Sequence, residues 1–238
     1  MIVCIDCGNS RLKWGIHDGQ SWLAQGVLAH AEVDQLGRLC ASWPQPQHLM
    51  LANVAGVALD DAIARALAPW SAVLNVVKSA ATGGGVTNLY KNPGQLGVDR
   101  WCALLGARRH GQTPRLVVMA GTATTIDSLD GQGNFTGGLI LPGLDLMQGA
   151  LAKGTAGLPW AAGQYAAAPR CTDDAIVTGC IEAQIGAIER AFVRLGSDSA
   201  CCLLSGGNAE RLAHHLVIPH VLAHNLPLEG LLCLALEI

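Results

Sequence analysis

The chain has 238 residues, half of them apolar, and a formal net charge of -3. Its length suffices for one large domain or for two smaller ones, each with its own core. Because no block of basic residues is present, the composition excludes the electrostatic footprint of a protein that binds nucleic acid or an anionic membrane. No apolar run approaches the roughly 18 residues of a membrane span. Asp6 interrupts the apolar N-terminus, so we expect no signal peptide and a cytoplasmic protein.

Nine cysteines are present, and most lie within apolar segments, as is typical of reduced thiols in a core. Cys4 and Cys7 form a C-x-x-C spacing, which also occurs in redox and zinc sites. The chain has no second pair of this kind, and residues three apart on a strand point to opposite faces. We therefore favour a structural role for these cysteines over metal or redox chemistry.

The N-terminus predicts two strands joined by a tight turn. Ile2 to Ile5 is an apolar, β-branched run that suits a strand buried on both faces. Gly8 and Asn9 tolerate left-handed backbone angles, which predicts a chain reversal, and the alternation that follows indicates a half-exposed strand. Asp6, beside free backbone donors and followed by Lys13, can hold a metal-bound phosphate chain, although an ordinary hairpin would use the same residues.

The segments that follow alternate between strand and helix patterns. Their spacing predicts strands at 21–29, 48–55 and 71–77, and helices at 32–43, 59–67 and 99–110. Segment 80–97 is rich in Gly, Asn and Pro, and loops of this length are usually functional or disordered. The turn residues Gly111 to Pro114 are the best boundary candidate, which predicts domains at 1–112 and 113–238.

The second half repeats the order of the first. An apolar strand at 116–124 enters a turn of glycine and small polar residues, and the pattern then predicts strands at 125–129, 133–141 and 201–204, an extended segment at 217–222, and helices at 142–153, 172–195, 208–215 and 226–238. This internal duplication is a stronger signal than any single motif. Each of the two similar halves begins with a hairpin at a cleft. This arrangement indicates a two-lobed nucleotide-binding protein, in which the phosphates lie between the two turns.

Four ordered segments carry a family resemblance: Asp6 to Lys13, Tyr90 to Arg100, Gly121 to Asp127, and Ser205 to Gly207. They resemble motifs of the actin, Hsc70 and sugar-kinase superfamily, and within it the type III pantothenate kinases, over essentially the whole chain. The resemblance implies an α/β fold of two tandem ribonuclease H-like lobes with a nucleotide cleft between them.

The resemblance assigns the first turn to the phosphates of ATP, with the Asp6 carboxylate serving Mg²⁺. The phosphate contacts would come from residues 6–13, namely Asp6, Cys7, Gly8, Asn9, Ser10, Arg11, Leu12 and Lys13. Thr122 in the second turn would close over the same phosphates, and Gly206 and Gly207 would lie along the adenosine. Each turn could instead be purely structural. Phosphoryl transfer asks a protein mainly for positioning and charge neutralisation, which such turns supply.

Segment 97–100 combines a helix start with a catalytic pattern. Asp99 can simply cap the first turn of a helix. By resemblance it is instead the base that accepts the proton of the primary hydroxyl of pantothenate, and the substrate contacts come from Tyr90, Gly97, Val98, Asp99 and Arg100. A fixed guanidinium suits the carboxylate of pantothenate.

Thr172, followed by two acids, indicates a helix N-cap. The resemblance implies that this threonine contacts substrate bound to the other subunit, and hence a homodimer with shared active sites.

One position departs from the family pattern. The family usually has an aspartate where this chain has Met119, and that aspartate is associated with a monovalent cation such as K⁺ or NH₄⁺. A thioether is a poor ligand for a hard cation, so we expect weak or absent K⁺ dependence.

The sequence therefore predicts a kinase that uses ATP and Mg²⁺ to phosphorylate pantothenate, the first step toward coenzyme A. Two alternatives are a kinase of the same fold with another small hydroxylated substrate, and a nucleotide-binding regulatory protein that has lost catalysis.

Overall fold

The computed structural model describes all 238 residues, except for the side chains of Val57 and Ala58. The first half contains β1 (Ile2–Cys7), β2 (Arg11–His17), β3 (Trp22–Ala29), α1 (Leu36–Ala41), β4 (His48–Asn53), α2 (Val57–Leu67), β5 (Leu74–Val76), β6 (Thr82–Gly83), β7 (Val86–Asn88) and α3 (Val98–Arg109). The second half contains β8 (Arg115–Ala120), β9 (Ala123–Leu129), β10 (Asn134–Pro142), α4 (Leu144–Gly154), α5 (Thr172–Arg194), β11 (Cys201–Ser205), α6 (Ala209–Ala213), β12 (His220–Leu222) and α7 (Leu226–Ala235).

The chain forms two compact units. Unit 1 comprises Met1–Gln112, Gly133–Phe135 and Asn225–Ile238, and unit 2 comprises Thr113–Gln132 and Thr136–His224. Helix α7, which the predicted domain division placed in the C-terminal lobe, packs in unit 1 with Ile2 and Cys4 of β1 and Cys102 of α3. Its apolar side chains are buried there, which explains why the last segment of the chain returns to the first unit.

The two units have the same sheet topology. In unit 1 the strand order is β3-β2-β1-β4-β5, with β1 antiparallel to β2 and parallel to β4. In unit 2 the order is β10-β9-β8-β11-β12, with β8 antiparallel to β9 and parallel to β11. The predicted duplication is confirmed at the level of topology. No helix within the described part of the chain is long and apolar enough to cross a membrane.

Strand β1 is buried on both faces because a different helical layer covers each one. Val3, Ile5 and Cys7 pack in one cluster with α1 and α2, whereas Ile2 and Cys4 pack in the other with α7. The two cysteines of the C-x-x-C spacing therefore lie in different core clusters, as predicted. Burial raises the pKa of the Cys7 thiol to about 11. Alternation along the strand places the side chain of Asp6 on the α7 side.

Three segments differ from the sequence prediction. The predicted helix at 32–43 is a 3₁₀ helix at His30–Gln35 followed by α1. The predicted strand at 71–77 begins only at Leu74, because a 3₁₀ helix occupies 68–73 and includes Pro69, whose ring favours a helical first turn. The loop at 80–97 has more regular structure than its composition indicates. It contains the antiparallel pair β6 and β7 and a 3₁₀ helix at Pro93–Gln95, and β7 pairs with Asn134 and Phe135.

Candidate active site

The first turn joins β1 to β2 and is closed by its own backbone. The Gly8 N–H donates to the Arg11 carbonyl oxygen at 3.1 Å, and the Val54 N–H donates to the Cys7 carbonyl oxygen at 2.9 Å. The chain reverses here as predicted, although neither Gly8 nor Asn9 adopts left-handed φ angles. The turn spans enough residues to reverse without them, and a Cβ on Gly8 would make only an ordinary contact.

Not every residue of the turn can meet a ligand through its side chain. Asn9, Ser10 and Arg11 are exposed, whereas Cys7 and Leu12 are buried in the core cluster beneath the turn. Any ligand contact of these two buried residues has to come from the backbone.

His30 supports the turn from outside the motif. Its Nε2 lies 2.8 Å from the Gly8 carbonyl oxygen, and because a carbonyl only accepts, Nε2 is the donor. No local sequence pattern indicates His30, because 22 positions separate it from Gly8. The N-terminal 3₁₀ helix that follows β3 brings it back to the turn.

Asp6 is the most perturbed carboxylate of the turn. It lies opposite Lys13 in the β1–β2 ladder and is 8% exposed, and its Oδ1 has no hydrogen-bond partner within the described part of the chain. Burial raises the pKa of its carboxyl, the Lys13 cation lowers it and the charge of Asp99 raises it, and together they bring it to about 7. A buried carboxylate with an unpartnered oxygen requires a compensating group.

A divalent metal fits this requirement. Mg²⁺ prefers oxygen ligands and is commonly held by one or two carboxylates together with substrate phosphates. The orphaned Oδ1 of Asp6 is a hard oxygen of this type, beside a turn whose backbone can bind the phosphates.

Asp99 lies in the first turn of α3, where a negative charge is favoured by the helix dipole. Gly97 is the N-cap residue, and a Cβ on it would lie only 2.6 Å from Asp99 Oδ1. The Asp99 carboxylate therefore lies close against the N-cap glycine, and a larger residue at 97 would require the carboxylate to move. The charge of Asp99 acts on Asp6, so unit 1 itself brings the two predicted acids together.

Arg100 lies next to Asp99 and is 5% exposed. Its guanidinium carbon lies 5.8 Å from the centre of the Tyr90 ring and 5.9 Å from that of Phe135, and the two rings are 5.0 Å apart. These distances fit cation–π contacts. The two predicted substrate residues thus meet each other. The sequence analysis missed Phe135, because only the pairing of β10 with β7 brings it to them.

In unit 2, the second turn is tightly packed against two glycines. Gly206 has φ +104, and a Cβ there would overlap the backbone of Ala120, at the end of β8. A Cβ on Gly143 would overlap the backbone of Gly121 and Thr122, and the Gly143 N–H donates to the Thr122 carbonyl oxygen at 2.9 Å. The structure therefore places the Gly206 turn beside the second turn. Around Gly207 the space is open.

Thr172 begins helix α5, but the N-cap position belongs to Cys171, one residue earlier than predicted. Thr172 is exposed and lines an open groove of about 660 Å³ within unit 2. The groove is predominantly apolar, and its walls come from α4, α5 and the segments next to them.

A family model described as type III pantothenate kinase matches residues 2–194. A type III pantothenate kinase from Dechloromonas aromatica is 62% identical over 237 residues, which cover 100% of both chains. The chain belongs to the type III pantothenate kinase family. A member of this family is an enzyme, a kinase that phosphorylates an alcohol group with ATP and a divalent metal, and the family activity is the phosphorylation of pantothenate for coenzyme A synthesis.

Solved structures agree on the fold. A Campylobacter jejuni protein assigned to the Baf family of transcriptional activators has a TM-score of 0.64 at 20% identity, with 99% of this chain and 98% of that chain covered. A Sinorhizobium meliloti protein assigned as a 2-dehydro-3-deoxygalactonokinase has a TM-score of 0.61 at 17% identity, with 100% and 99% covered. At these identities the likeness shows the fold alone, which is the actin and sugar-kinase type.

In this member of the pantothenate kinase family, Met119 lies between two strands of the sheet in unit 2. It pairs with Thr125 of β9 and Ser205 of β11, so all three side chains lie on one face of the sheet in unit 2. The hydroxyls of Thr125 and Ser205 are buried, and neither has a hydrogen-bond partner among the described residues. Two unsatisfied oxygens thus flank the thioether of Met119.

Proposed function

We propose that this chain transfers the γ-phosphoryl group of ATP to the primary hydroxyl of pantothenate, with Asp99 as the base. The observation that carries the proposal is the pairing of two acids in unit 1. Asp6 is buried with an unpartnered oxygen, and Asp99 lies in the first turn of α3, where its charge acts on Asp6. Asp6 is suited to bind a metal ion, and Asp99 is suited to accept the proton of a hydroxyl group.

The acceptor site is built from the residues around Asp99. Its carboxylate accepts the proton of the attacking hydroxyl, and Arg100 binds the carboxylate of pantothenate. The two aromatic rings next to the guanidinium limit its motion, so little side-chain entropy is lost when the substrate binds. Tyr90 adds a contact to the substrate from the same cluster.

The phosphate site is built from the first turn. Backbone N–H groups of the turn other than that of Gly8 bind the phosphate oxygens, and Lys13 adds a positive charge opposite Asp6. Asp6 would hold Mg²⁺, which supplies neutralisation of the charge that develops on the phosphates. In unit 2, Thr122 would add a phosphate contact, and the turn of Gly206 and Gly207 would admit the adenosine.

The direct test is product formation by the purified protein. With ATP, Mg²⁺ and pantothenate we expect 4'-phosphopantothenate, identified by mass spectrometry, together with one ADP per product. A panel of other small hydroxylated compounds at the same concentration is the control. ADP release with one of these compounds and not with pantothenate would show that this compound, and not pantothenate, is the substrate. ATP binding without any phosphorylated product would favour the regulatory alternative.

Removal of K⁺ should leave turnover unchanged, because position 119 offers a thioether and not a carboxylate. Turnover is measured in a buffer free of sodium and ammonium, with and without added K⁺. A large increase on adding K⁺ would contradict this prediction. As a matched variant, Met119→Asp should acquire K⁺ dependence, since the new carboxylate would lie between the Thr125 and Ser205 oxygens.

We further propose a homodimer in which a second copy of the chain covers the groove at Thr172. Large exposed apolar side chains surround this part of unit 2, namely Ile140 (65% exposed), Leu146 (49%) and Trp160 (58%). Apolar surface of this extent is typical of interaction sites. The residues lining the groove include no charged side chain, which suits an apolar partner surface.

Ala150→Arg should weaken the dimer. Ala150 is exposed on α4 and lines the groove, so the substitution places an unpaired charge in the interface without disturbing a core. A buried unpaired charge costs about 3 to 5 kcal/mol, so the dissociation constant should rise by on the order of 10²-fold or more. Sedimentation velocity over a concentration series measures it. Val217→Arg, at an 88% exposed site that does not line the groove, is the control and should behave as the parent. A parent protein that sediments as a monomer would refute the dimer.

The cytoplasmic location stays a prediction. It is supported by the nine cysteines, all of which are free thiols, as is usual in a reducing compartment. Fractionation of cells would test it.

A further inference from the structure

Asn88, at the end of β7, organises the loop that carries Tyr90. It is 4% exposed, although the residue that follows it, Leu89, is 56% exposed. A buried amide within a largely solvent-facing loop has to satisfy its polar atoms internally. Its surroundings show how it does so.

Every polar group of the Asn88 side chain is used. Its Nδ2 donates to the Ala80 carbonyl oxygen at 3.2 Å and to the Pro93 carbonyl oxygen at 3.1 Å, and its Oδ1 accepts from the Tyr90 N–H at 3.1 Å. An amide has two N–H donors and one oxygen, so this is a complete set. One side chain thereby joins the start, the middle and the end of the loop.

The hydrogen bond from the Tyr90 N–H to Asn88 is the one that affects a proposed substrate-binding residue. Tyr90 lies outside any helix or strand, and its N–H is held by Asn88. Its ring then lies 5.0 Å from Phe135 and 5.8 Å from the Arg100 guanidinium carbon. Phe135 is the β-sheet partner of Asn88, so the amide and the ring cluster share one rung of the sheet.

We propose that Asn88 is a positioning residue of the acceptor site, which acts through Tyr90 to fix the phenol against Arg100. The inference rests on the proposed function, because it takes Tyr90 and Arg100 to bind pantothenate. Asn88 itself touches neither substrate nor nucleotide in this role. Its loss should therefore affect the binding of the acceptor and leave that of ATP unchanged.

The test compares Asn88→Ala with Asn92→Ala in the full-length enzyme. Asn92 lies in the same loop, is exposed, and makes only a local side-chain bond, from the Gly94 N–H to its Oδ1 at 3.2 Å. We expect the KM for pantothenate to rise by about tenfold in Asn88→Ala, the change that corresponds to losing about 1.4 kcal/mol from a buried hydrogen bond. The KM for ATP should stay constant, and Asn92→Ala should match the parent. Equal KM values for pantothenate in both variants, or an equal rise for ATP, would overturn the inference.

Two further variants separate positioning from stability. Asn88→Asp keeps an oxygen for the Tyr90 N–H but loses both donors, so its melting temperature should fall while its KM for pantothenate rises less than in Asn88→Ala. If Asn88→Ala fails to fold, Asn88→Asp takes its place in the test. A KM for pantothenate in Asn88→Asp as high as that of Tyr90→Ala would then overturn the inference. Where both fold, equal KM values in Asn88→Asp and Asn88→Ala would show that KM follows stability, which also overturns it.

A double-mutant cycle tests whether the effect passes through Tyr90. In a Tyr90→Ala background, Asn88→Ala should change the KM for pantothenate little, because contacting residues are not additive. A full effect in that background would overturn the inference alone. If Tyr90→Ala itself leaves the KM for pantothenate unchanged, the assignment of Tyr90 in the proposed function fails, and the role of Asn88 fails with it.

Discussion

Asp99→Asn should keep the fold and lose most of the turnover with ATP and pantothenate. Asparagine has nearly the same shape and fits the space beside Gly97, but it cannot accept the hydroxyl proton. Loss of a positioned base is expected to lower turnover by on the order of 10²-fold or more. Steady-state kinetics should show a fall in kcat with little change in the KM for ATP, because Asp99 acts on the acceptor.

The control for this variant is Asp145→Asn. Asp145 is exposed in the first turn of α4, so its replacement removes the same favourable interaction with a helix N-terminus. Both variants should lose a similar, small amount of thermal stability, and only Asp99→Asn should lose turnover. Unchanged turnover in Asp99→Asn would remove the proposed mechanism, and a capping role alone would then account for the residue.

Asp6→Asn should stabilise the unliganded protein at pH 8 and inactivate it. In the folded state the carboxyl pKa is about 7, above its ordinary value of 3.8, so the folded state holds more protons than the unfolded state between these values. Stability is therefore lost as the pH rises through about 7, by up to about 4 kcal/mol for a side chain this deeply buried. Asparagine does not ionise and escapes that loss.

The measurement is urea unfolding of both proteins from pH 4 to pH 8. The parent should become less stable relative to Asp6→Asn as the pH rises, and the two should agree most closely at pH 4 to 5, where Asp6 is protonated in the folded protein. Mg²⁺ with ATP should restore stability to the parent and not to the variant, since the carboxylate is the proposed metal ligand. Curves that stay parallel across the pH range would show that Asp6 has an ordinary pKa.

Local patterns predicted the elements that carry the acids. Continuous burial along β1 and the helix that begins next to Asp99 follow from residues close in sequence, and the structure has both. The repeat of topology was also predictable, because it depends on the order of elements and not on their contacts.

The contacts that support the site were not predictable in the same way. His30 reaches Gly8 across 22 positions, and Phe135 reaches Arg100 across 35 positions, although both belong to unit 1. Both depend on which strand or helix returns to the site, which a local pattern does not encode. The pKa of Asp6 likewise follows from tertiary burial that single-sequence reasoning does not quantify.

The matching topology of the two units has a consequence for how the duplicated halves have diverged. Asp6 and Met119 are each the second-last residue of the central strand, and their ladder partners are Lys13 and Thr125. The first half has the buried Asp6 opposite the Lys13 cation, and the free energy of unfolding of this half should fall as the pH rises. The other half has an uncharged pair at the same rung, so this rung causes no loss of stability as the pH rises. The pH dependence that the buried acid gives to unit 1 therefore has no counterpart at this rung of unit 2.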